Sequence, residues 1–218
     1  MAERRGRFIT LEGIEGAGKS TQVDTVCATL QDAGIELVVT REPGGAPIAE
    51  RIRALLLDRD NRGMASDAEL LLMFAARAEH LYQKILPALE TGRWVICDRF
   101  TDATYAYQGG GRGVDPARIA MLENLVQGSL RPDLTLLFDL PAADGLARAR
   151  GRAEPDRFEA ETVAFHERVR AAYLQIAARD PRRVHIIDAG QPAEQVSSAV
   201  AASLRAHLEQ PRSPQCNP

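Results

Sequence analysis

The chain has 218 residues, a formal net charge of −3 at pH 7, 45% hydrophobic residues and 26% charged residues. These values are typical of folded globular domains and exclude disordered, collagen-like and coiled-coil chains. The slightly acidic net charge argues against nucleic-acid or membrane-surface partners. No apolar run reaches the ~18 residues of a membrane span. The three cysteines are widely separated in the chain, which favours a reduced, cytoplasmic protein.

Apolar stretches alternate with helical patterns along the whole chain. The predicted strands cover residues 8–11, 37–40, 94–97, 134–138 and 184–187. The predicted helices cover residues 19–33, 48–57, 66–92, 116–127, 142–150, 162–179 and 192–208. Strands separated by helices form right-handed βαβ units. We therefore predict an α/β fold with three layers, in which helices flank a five-stranded parallel sheet. We further predict that residues 1–209 form one domain and that residues 210–218 form a frayed tail.

A glycine-rich loop directly follows the first predicted strand and opens the first helix. Residues 13–20 read GIEGAGKS, which fits the pattern G-x-x-x-x-G-K-[ST] in its required context. Such a loop turns backbone N–H groups toward an anion, and the helix N-terminus adds partial positive charge. This motif predicts a P-loop NTPase-like fold that binds a nucleoside triphosphate. The predicted ATP-binding residues are Gly13, Ile14, Glu15, Gly16, Ala17, Gly18, Lys19, Ser20 and Thr21.

Within this loop Lys19 is expected to neutralise the β and γ phosphates, and the Ser20 hydroxyl to reach Mg²⁺. The chain contains only two lysines, Lys19 and Lys84, and neither fits an N-K-x-D guanine-binding motif. The sequence therefore does not predict a GTPase.

The long third helix carries two local signals. Ser66 and Glu69 have the spacing of a capping box, in which a hydroxyl and a carboxylate accept hydrogen bonds from the free N–H groups of the first turn. Pro87 lacks an N–H group and is expected to kink the same helix. Further on, Asp115 and Pro116 predict the start of the next helix.

Asp98 and Arg99 follow the third strand, at the carboxyl end where ligands of open α/β sheets bind. Asp98 is expected to hold the metal, partly through water, or to help orient the acceptor; the alternative is a helix cap. The guanidinium group of Arg99 is well shaped for a phosphate.

Three segments in a fixed order resemble the thymidylate kinase family. They are TREPGG at 40–45, DRF at 98–100 and TYAYQGGGRG at 104–113, and the likeness extends from the phosphate loop to Asp188. The resemblance implies a homodimeric enzyme that phosphorylates dTMP with ATP and Mg²⁺. A kinase of another nucleotide or of a deoxynucleoside, and an ATP-binding switch module, are the alternatives.

The resemblance also implies roles for individual residues. Arg53 and Arg99 would hold the acceptor 5′-phosphate, and Arg77 would donate to the thymine O4, so that a cytosine amino group is rejected. Tyr107 would stand against the sugar 2′ position. The implied substrate-binding residues are Glu15, Pro43, Arg53, Met73, Phe74, Arg77, Arg99, Thr104, Tyr107 and Gln108.

Met73 and Phe74 stand four and three residues before Arg77, and both spacings place a side chain on the same helix face as Arg77. The resemblance leaves open which of the two covers the thymine ring.

An arginine-rich segment at about 148–159 resembles the lid of the family. Some family members carry a catalytic arginine in the phosphate loop and others carry it in the lid, and Gly16 stands where the first type has arginine. The resemblance therefore implies the lid-arginine type that is found in bacteria. An arginine that arrives with lid closure stabilises the charge of the transferring phosphoryl group. Arg152 is the first candidate for this role and Arg148 the second.

Overall fold

A five-stranded parallel sheet forms the centre of the structure, a computed structural model that describes residues 5–150 and 156–209 but not the side chain of Arg150. Its strands run in the order β2-β3-β1-β4-β5. They are β1 Phe8–Glu12, β2 Leu37–Arg41, β3 Trp94–Asp98, β4 Leu134–Asp139 and β5 Val184–Asp188. β1 is buried along its whole length, as expected for a central strand of a parallel sheet covered on both faces.

Helices cover both faces of the sheet, and the predicted α/β three-layer fold is confirmed. One apolar cluster joins β1 and β4 to side chains from residues 165–177 and 196–204, and a second one lies on the other face against residues 81–89. The helices are α1 Lys19–Asp32, α2 Pro47–Leu57, α3 Ser66–His80, α4 Leu86–Glu90, α5 Thr101–Thr104, α6 Pro116–Gln127, α7 Ala142–Arg150, α8 Val163–Arg179 and α9 Ala193–Glu209. Within the described residues, no helix has both the length and the apolarity needed to cross a bilayer.

The capping box predicted at the start of α3 is wrong. Ser66 is already the first helical residue, Ala65 precedes it in an extended conformation, and within the described chain no side chain caps this end. Glu69 is buried and pairs with Arg157 instead. A carboxylate that finds a buried guanidinium partner is not available to the helix terminus.

Near Pro87, where the sequence predicts a kink, the helix contains a wider turn. A π-helical segment, Leu81–Ile85, separates α3 from α4. Because Pro87 has no N–H group, it cannot donate to the carbonyl group one turn earlier, and such a turn accommodates the loss.

Residues 101–111 are helical, which the sequence analysis did not predict. α5 continues directly into a π-helical segment, Tyr105–Gly111, although three of its residues are glycine. A Cβ atom on Gly110 would lie 2.6 Å from the Ala172 side chain, and one on Gly111 would lie 2.6 Å from Phe165. The glycines therefore allow α8 to pack directly on this backbone, and the packing stabilises a helix that they would otherwise disfavour.

Candidate functional site

A cavity opens at the carboxyl ends of β1 and β3, and most predicted site residues line it. Those that do are Glu15, Gly16, Gly18, Lys19, Ser20, Pro43, Arg53, Met73, Arg77, Asp98, Arg99, Thr104, Tyr107 and Gln108. Gly13, Ile14, Ala17 and Thr21 belong to the phosphate loop or the start of α1 but are not part of the cavity wall, and neither are Phe74 and Arg148.

The phosphate loop connects β1 to α1 with a backbone that only glycine adopts readily. Gly13, Gly16 and Gly18 have φ angles of 138°, 71° and 86°. A Cβ atom on Gly16 would lie 1.9 Å from the Gly145 carbonyl oxygen, so α7 packs against bare backbone here. The loop therefore has no room for an arginine at residue 16.

Lys19 is the first residue of α1, and its ammonium group folds back over the loop. Its Nζ donates to the carbonyl oxygens of Gly13 at 2.9 Å and Ile14 at 3.0 Å. Burial, followed by the nearby guanidinium group of Arg99, lowers the pKa of Lys19 to about 8. A bound phosphate would counter both effects, so this site is arranged for a polyanion.

Arg99 joins the phosphate loop to the other half of the cavity. Its Nη1 donates to the Gly13 carbonyl oxygen at 2.7 Å and its Nη2 to Glu15 Oε1 at 2.8 Å, while the guanidinium carbon lies 4.9 Å from the Tyr107 ring centre. The Tyr107 hydroxyl donates to the other oxygen of Glu15. Arg99 has a φ of 68°, a left-handed backbone that non-glycine residues rarely adopt and that clusters at functional sites.

Arg77 also lines the cavity and is only 2% exposed. Its Nε donates to Glu42 Oε2 at 2.8 Å and its Nη2 to Thr104 Oγ1 at 3.0 Å. Among the described residues, Nη1 of Arg77 has no hydrogen-bond partner. A buried donor without a partner is unfavourable unless a ligand oxygen accepts a hydrogen bond from it.

Met73 and Phe74, the two candidates for covering the thymine ring, have different surroundings in the structure. Met73 lines the cavity, whereas Phe74 is buried behind Arg77, with its ring centre 4.7 Å from the guanidinium carbon. Phe100, which the sequence analysis did not assign to the site, lines the cavity and packs 5.0 Å from the same carbon. The aromatic contact of Phe74 is therefore with the guanidinium group of Arg77, and Phe74 does not line the cavity.

A network of three residues that the sequence did not predict adjoins Arg77. Glu42 accepts from Arg77 and lies 3.1 Å from His80 Nδ1, and His80 Nε2 lies 2.7 Å from Thr40 Oγ1. Thr40 and Glu42 belong to the TREPGG segment, so that motif contained a signal for this network.

A divalent cation fits beside the phosphate loop. Asp98 Oδ1 is buried, and no described residue offers it a hydrogen bond, while Ser20 lies exposed in the same cavity wall. The described ranges contain no cluster of three or more acidic, histidine or cysteine side chains suited to a metal. Mg²⁺ at nucleotide sites takes only one or two protein ligands and completes its shell with phosphate and water, so this donor set suits it.

The arginines of the predicted lid have different surroundings. Arg152 lies outside the described residues. Arg148 is exposed, and its Nη1 donates to the Ala189 carbonyl oxygen at 2.9 Å. Arg157 is buried, and its Nε donates to the Leu56 carbonyl oxygen at 2.7 Å. Arg157 is thus part of the packed structure rather than a solvated lid residue.

Glu12, the last residue of β1, is a buried acid beneath the cavity. It accepts hydrogen bonds from the Phe100 N–H group and the Tyr173 hydroxyl, each at 2.7 Å. Burial, together with the charge of Asp102, raises the pKa of Glu12 from its ordinary 4.5 to about 8. The folded protein therefore holds this carboxyl group in its neutral form at neutral pH.

Because the folded-state pKa of Glu12 is raised, its contribution to stability is complete below about pH 4.5 and is lost as the pH approaches 8. The measured quantity is the free energy of unfolding of the wild type minus that of Glu12→Gln. We expect this difference to fall by on the order of 4 kcal/mol as the pH rises from 4.5 to 8. Urea unfolding of both proteins at several pH values measures this difference. A difference that does not change with pH would contradict the assignment.

Comparisons with known proteins agree on one family. A family model described as thymidylate kinase matches residues 11–200. The chain is 60% identical to a protein named thymidylate kinase from Pseudomonas putida (strain W619), over 94% of this chain and 99% of that protein. It is also 60% identical to one from Alkalilimnicola ehrlichii, over 92% and 93% of the two chains. The crystal structure of thymidylate kinase from Ehrlichia chaffeensis is similar with a TM-score of 0.74 and 35% identity, over 92% of this chain and 99% of that chain.

Proposed function

The chain belongs to the thymidylate kinase family, and we propose that the cavity described above is where it phosphorylates dTMP to dTDP with ATP. One observation carries this proposal: Lys19 of the phosphate loop, Arg99, and Arg77 with its unpaired buried donor all line the same cavity. We expect the triphosphate to lie beside Lys19 and the base beside Arg77.

The reaction needs positioning and charge more than it needs a base. The acceptor is a phosphate oxygen, which is already anionic at neutral pH. Lys19 and the N–H groups of the loop would hold the β and γ phosphates, while Arg99 and Arg53 hold the acceptor phosphate in line. Arg53 is fixed by a hydrogen bond from its Nη1 to the Pro43 carbonyl oxygen at 2.9 Å. These cations offset the repulsion between two polyanions.

The Ser20 hydroxyl and the Asp98 carboxylate would hold Mg²⁺, with Asp98 acting partly through water. When bound, the metal neutralises charge on the triphosphate.

The base end of the cavity suits a thymine. Arg77 Nη1 would donate to O4, and Gln108 and Thr104 would contact the rest of the base edge. A cytosine would set its amino group against the Arg77 donor, and such a mismatch of buried polar groups gives strong discrimination. Tyr107, which is held by Glu15, would exclude a 2′-hydroxyl group.

We propose that residues 1–209 form one nucleoside monophosphate kinase domain with a lid at about 148–159. Because Gly16 packs against the Gly145 carbonyl group, the arginine that stabilises the transferring phosphoryl group must come from elsewhere. Arg152 is our first candidate for it and Arg148 our second. Closure of the lid would also exclude water from ATP.

A coupled assay of ADP release tests the proposed function directly. We expect kcat/KM for dTMP to exceed that for CMP by at least about 100-fold, because a buried polar mismatch rejects the wrong base. The panel is dTMP, dUMP, CMP, GMP and AMP. Equal rates with all five would exclude a thymidylate kinase, and ATP turnover that no acceptor changes would favour an ATP-binding switch.

We further propose that two copies associate through α3 and α6, which pack against each other. Large apolar side chains are exposed along them: Leu71 on α3, Tyr82 just beyond it, and Met121 and Leu125 one turn apart on α6. Sedimentation equilibrium should give twice the mass of one chain.

We also propose a cytoplasmic location for the protein. The free thiols of Cys27 and Cys97 agree with it.

A further inference from the structure

Glu69 is a buried acid that the reaction itself does not use. It lies on α3 and is 1% exposed. Its Oε1 accepts from Gln108 Nε2 at 2.8 Å and lies 3.4 Å from Arg112 Nε, and its Oε2 lies 2.6 Å from Arg157 Nη1. Burying a carboxylate is unfavourable unless it is fully paired, so this one is held in place by partners on both of its oxygens.

Arg157 keeps the carboxylate of Glu69 from rotating. Its guanidinium group is itself fixed, because Nε donates to the Leu56 carbonyl oxygen and the Phe158 ring packs 4.5 Å from its central carbon. The oxygen that faces Gln108 is therefore held in one direction.

That direction decides which end of the Gln108 amide faces the ligand. A carboxylate accepts hydrogen bonds and has none to donate, so only the NH₂ group of Gln108 can point at it. The carbonyl oxygen Oε1 is then turned away from Glu69, in a side chain that lines the cavity together with Thr104.

Thymine and cytosine differ at N3, which is a donor N–H in thymine and an acceptor in cytosine. We propose that Glu69 is a positioning residue for base recognition: it fixes the Gln108 amide so that its carbonyl oxygen receives the thymine N3–H and repels the cytosine N3. The inference rests on the proposed function and deepens it. Arg77 reads the neighbouring position with a donor, so the two side chains together present a donor and an acceptor that match thymine and oppose cytosine.

Glu69→Gln tests this, because a glutamine can donate as well as accept and lets the Gln108 amide turn over. The readout is kcat/KM for dTMP divided by kcat/KM for dCMP, two nucleotides with the same sugar. We expect this ratio to fall by about 10-fold or more, with dTMP becoming poorer and dCMP better, since a buried hydrogen bond is lost in one case and gained in the other. A merely structural role would lower both values together and leave the ratio unchanged.

Glu161→Gln is the matched control. Glu161 is the other carboxylate partner of Arg112, and its change to glutamine removes the same charge without touching Gln108. Its ratio should equal that of the wild type. If the Glu69→Gln protein does not fold, Glu69→Asp keeps a negative charge opposite Arg157 but withdraws the oxygen from Gln108, and the same ratio decides.

The outcomes separate the two proposals. A wild type without preference for dTMP overturns the proposed function and this inference with it. A wild type that prefers dTMP, with variants of Glu69 that keep the wild-type ratio, overturns this inference alone. In a Gln108→Leu background, Glu69→Gln should cause no further change in the ratio, and a further change would show that Glu69 does not act through Gln108.

Discussion

Replacing Lys19 with methionine is expected to lower kcat by on the order of 10³-fold, because the charge that meets the developing negative charge on the transferring phosphoryl group is removed. Lys19 Nζ is held by two loop carbonyl oxygens, and the residue is only 7% exposed in the wall of the cavity. Methionine has nearly the same length and leaves no unpaired charge, so the fold should persist. Steady-state kinetics with ATP and dTMP measure the loss.

The chain offers one matched control for this substitution. Lys84 is its only other lysine; it does not line the cavity that holds Lys19 but lines a neighbouring one together with Ser20 and Asp98. Lys84→Met removes the same charge from outside the cavity of Lys19, and we expect it to lower kcat by no more than about tenfold. A Lys19→Met enzyme that retained more than a tenth of wild-type kcat would contradict the role of Lys19, provided that its thermal unfolding is unchanged.

Arg99→Lys is expected to lower kcat/KM for dTMP by about 100-fold while keeping the positive charge. Lysine cannot reproduce the fork that reaches the Gly13 carbonyl oxygen and Glu15 together. The left-handed backbone at residue 99 is equally unfavourable for both side chains, so strain does not complicate the comparison. The loss should be greater in KM for dTMP than in KM for ATP.

Arg118→Lys serves as the control, since Arg118 is about half exposed on α6 and pairs only with Asp67 among the described contacts. Its kinetic constants should match those of the wild type. If Arg99→Lys raised KM for ATP and left KM for dTMP unchanged, Arg99 would bind the triphosphate of ATP rather than the phosphate of the acceptor.

The strands, the phosphate loop and the residues after β3 could be predicted from the sequence because their signals are local. Strand-forming apolar runs, the glycines of residues 13–20 and the residues that follow β3 are read from neighbours along the chain, and each strand is found where it was predicted. The sheet then brings Lys19 and Arg99 together, because the carboxyl ends of adjacent parallel strands meet at one edge.

What the sequence did not show depends on partners that are distant in the chain. Glu69 was interpreted as a helix cap because its neighbours fit a capping box, whereas its partners are Gln108, 39 residues away, and Arg157. The helix through the glycines at 109–111 depends on α8, which packs directly on them. The choice between Met73 and Phe74 likewise depends on where Arg77 lies, which spacing alone does not give.

In the proposed complex one cavity holds a triphosphate and a thymine end to end. A crystal structure with a bisubstrate analogue, in which adenosine and thymidine are joined by five phosphates, tests it most directly. We expect the phosphates to run from the N–H groups of residues 13–20 to Arg99, with thymine O4 within hydrogen-bonding distance of Arg77 Nη1. A thymine bound away from Arg77, or phosphates that bypass the loop, would contradict the account.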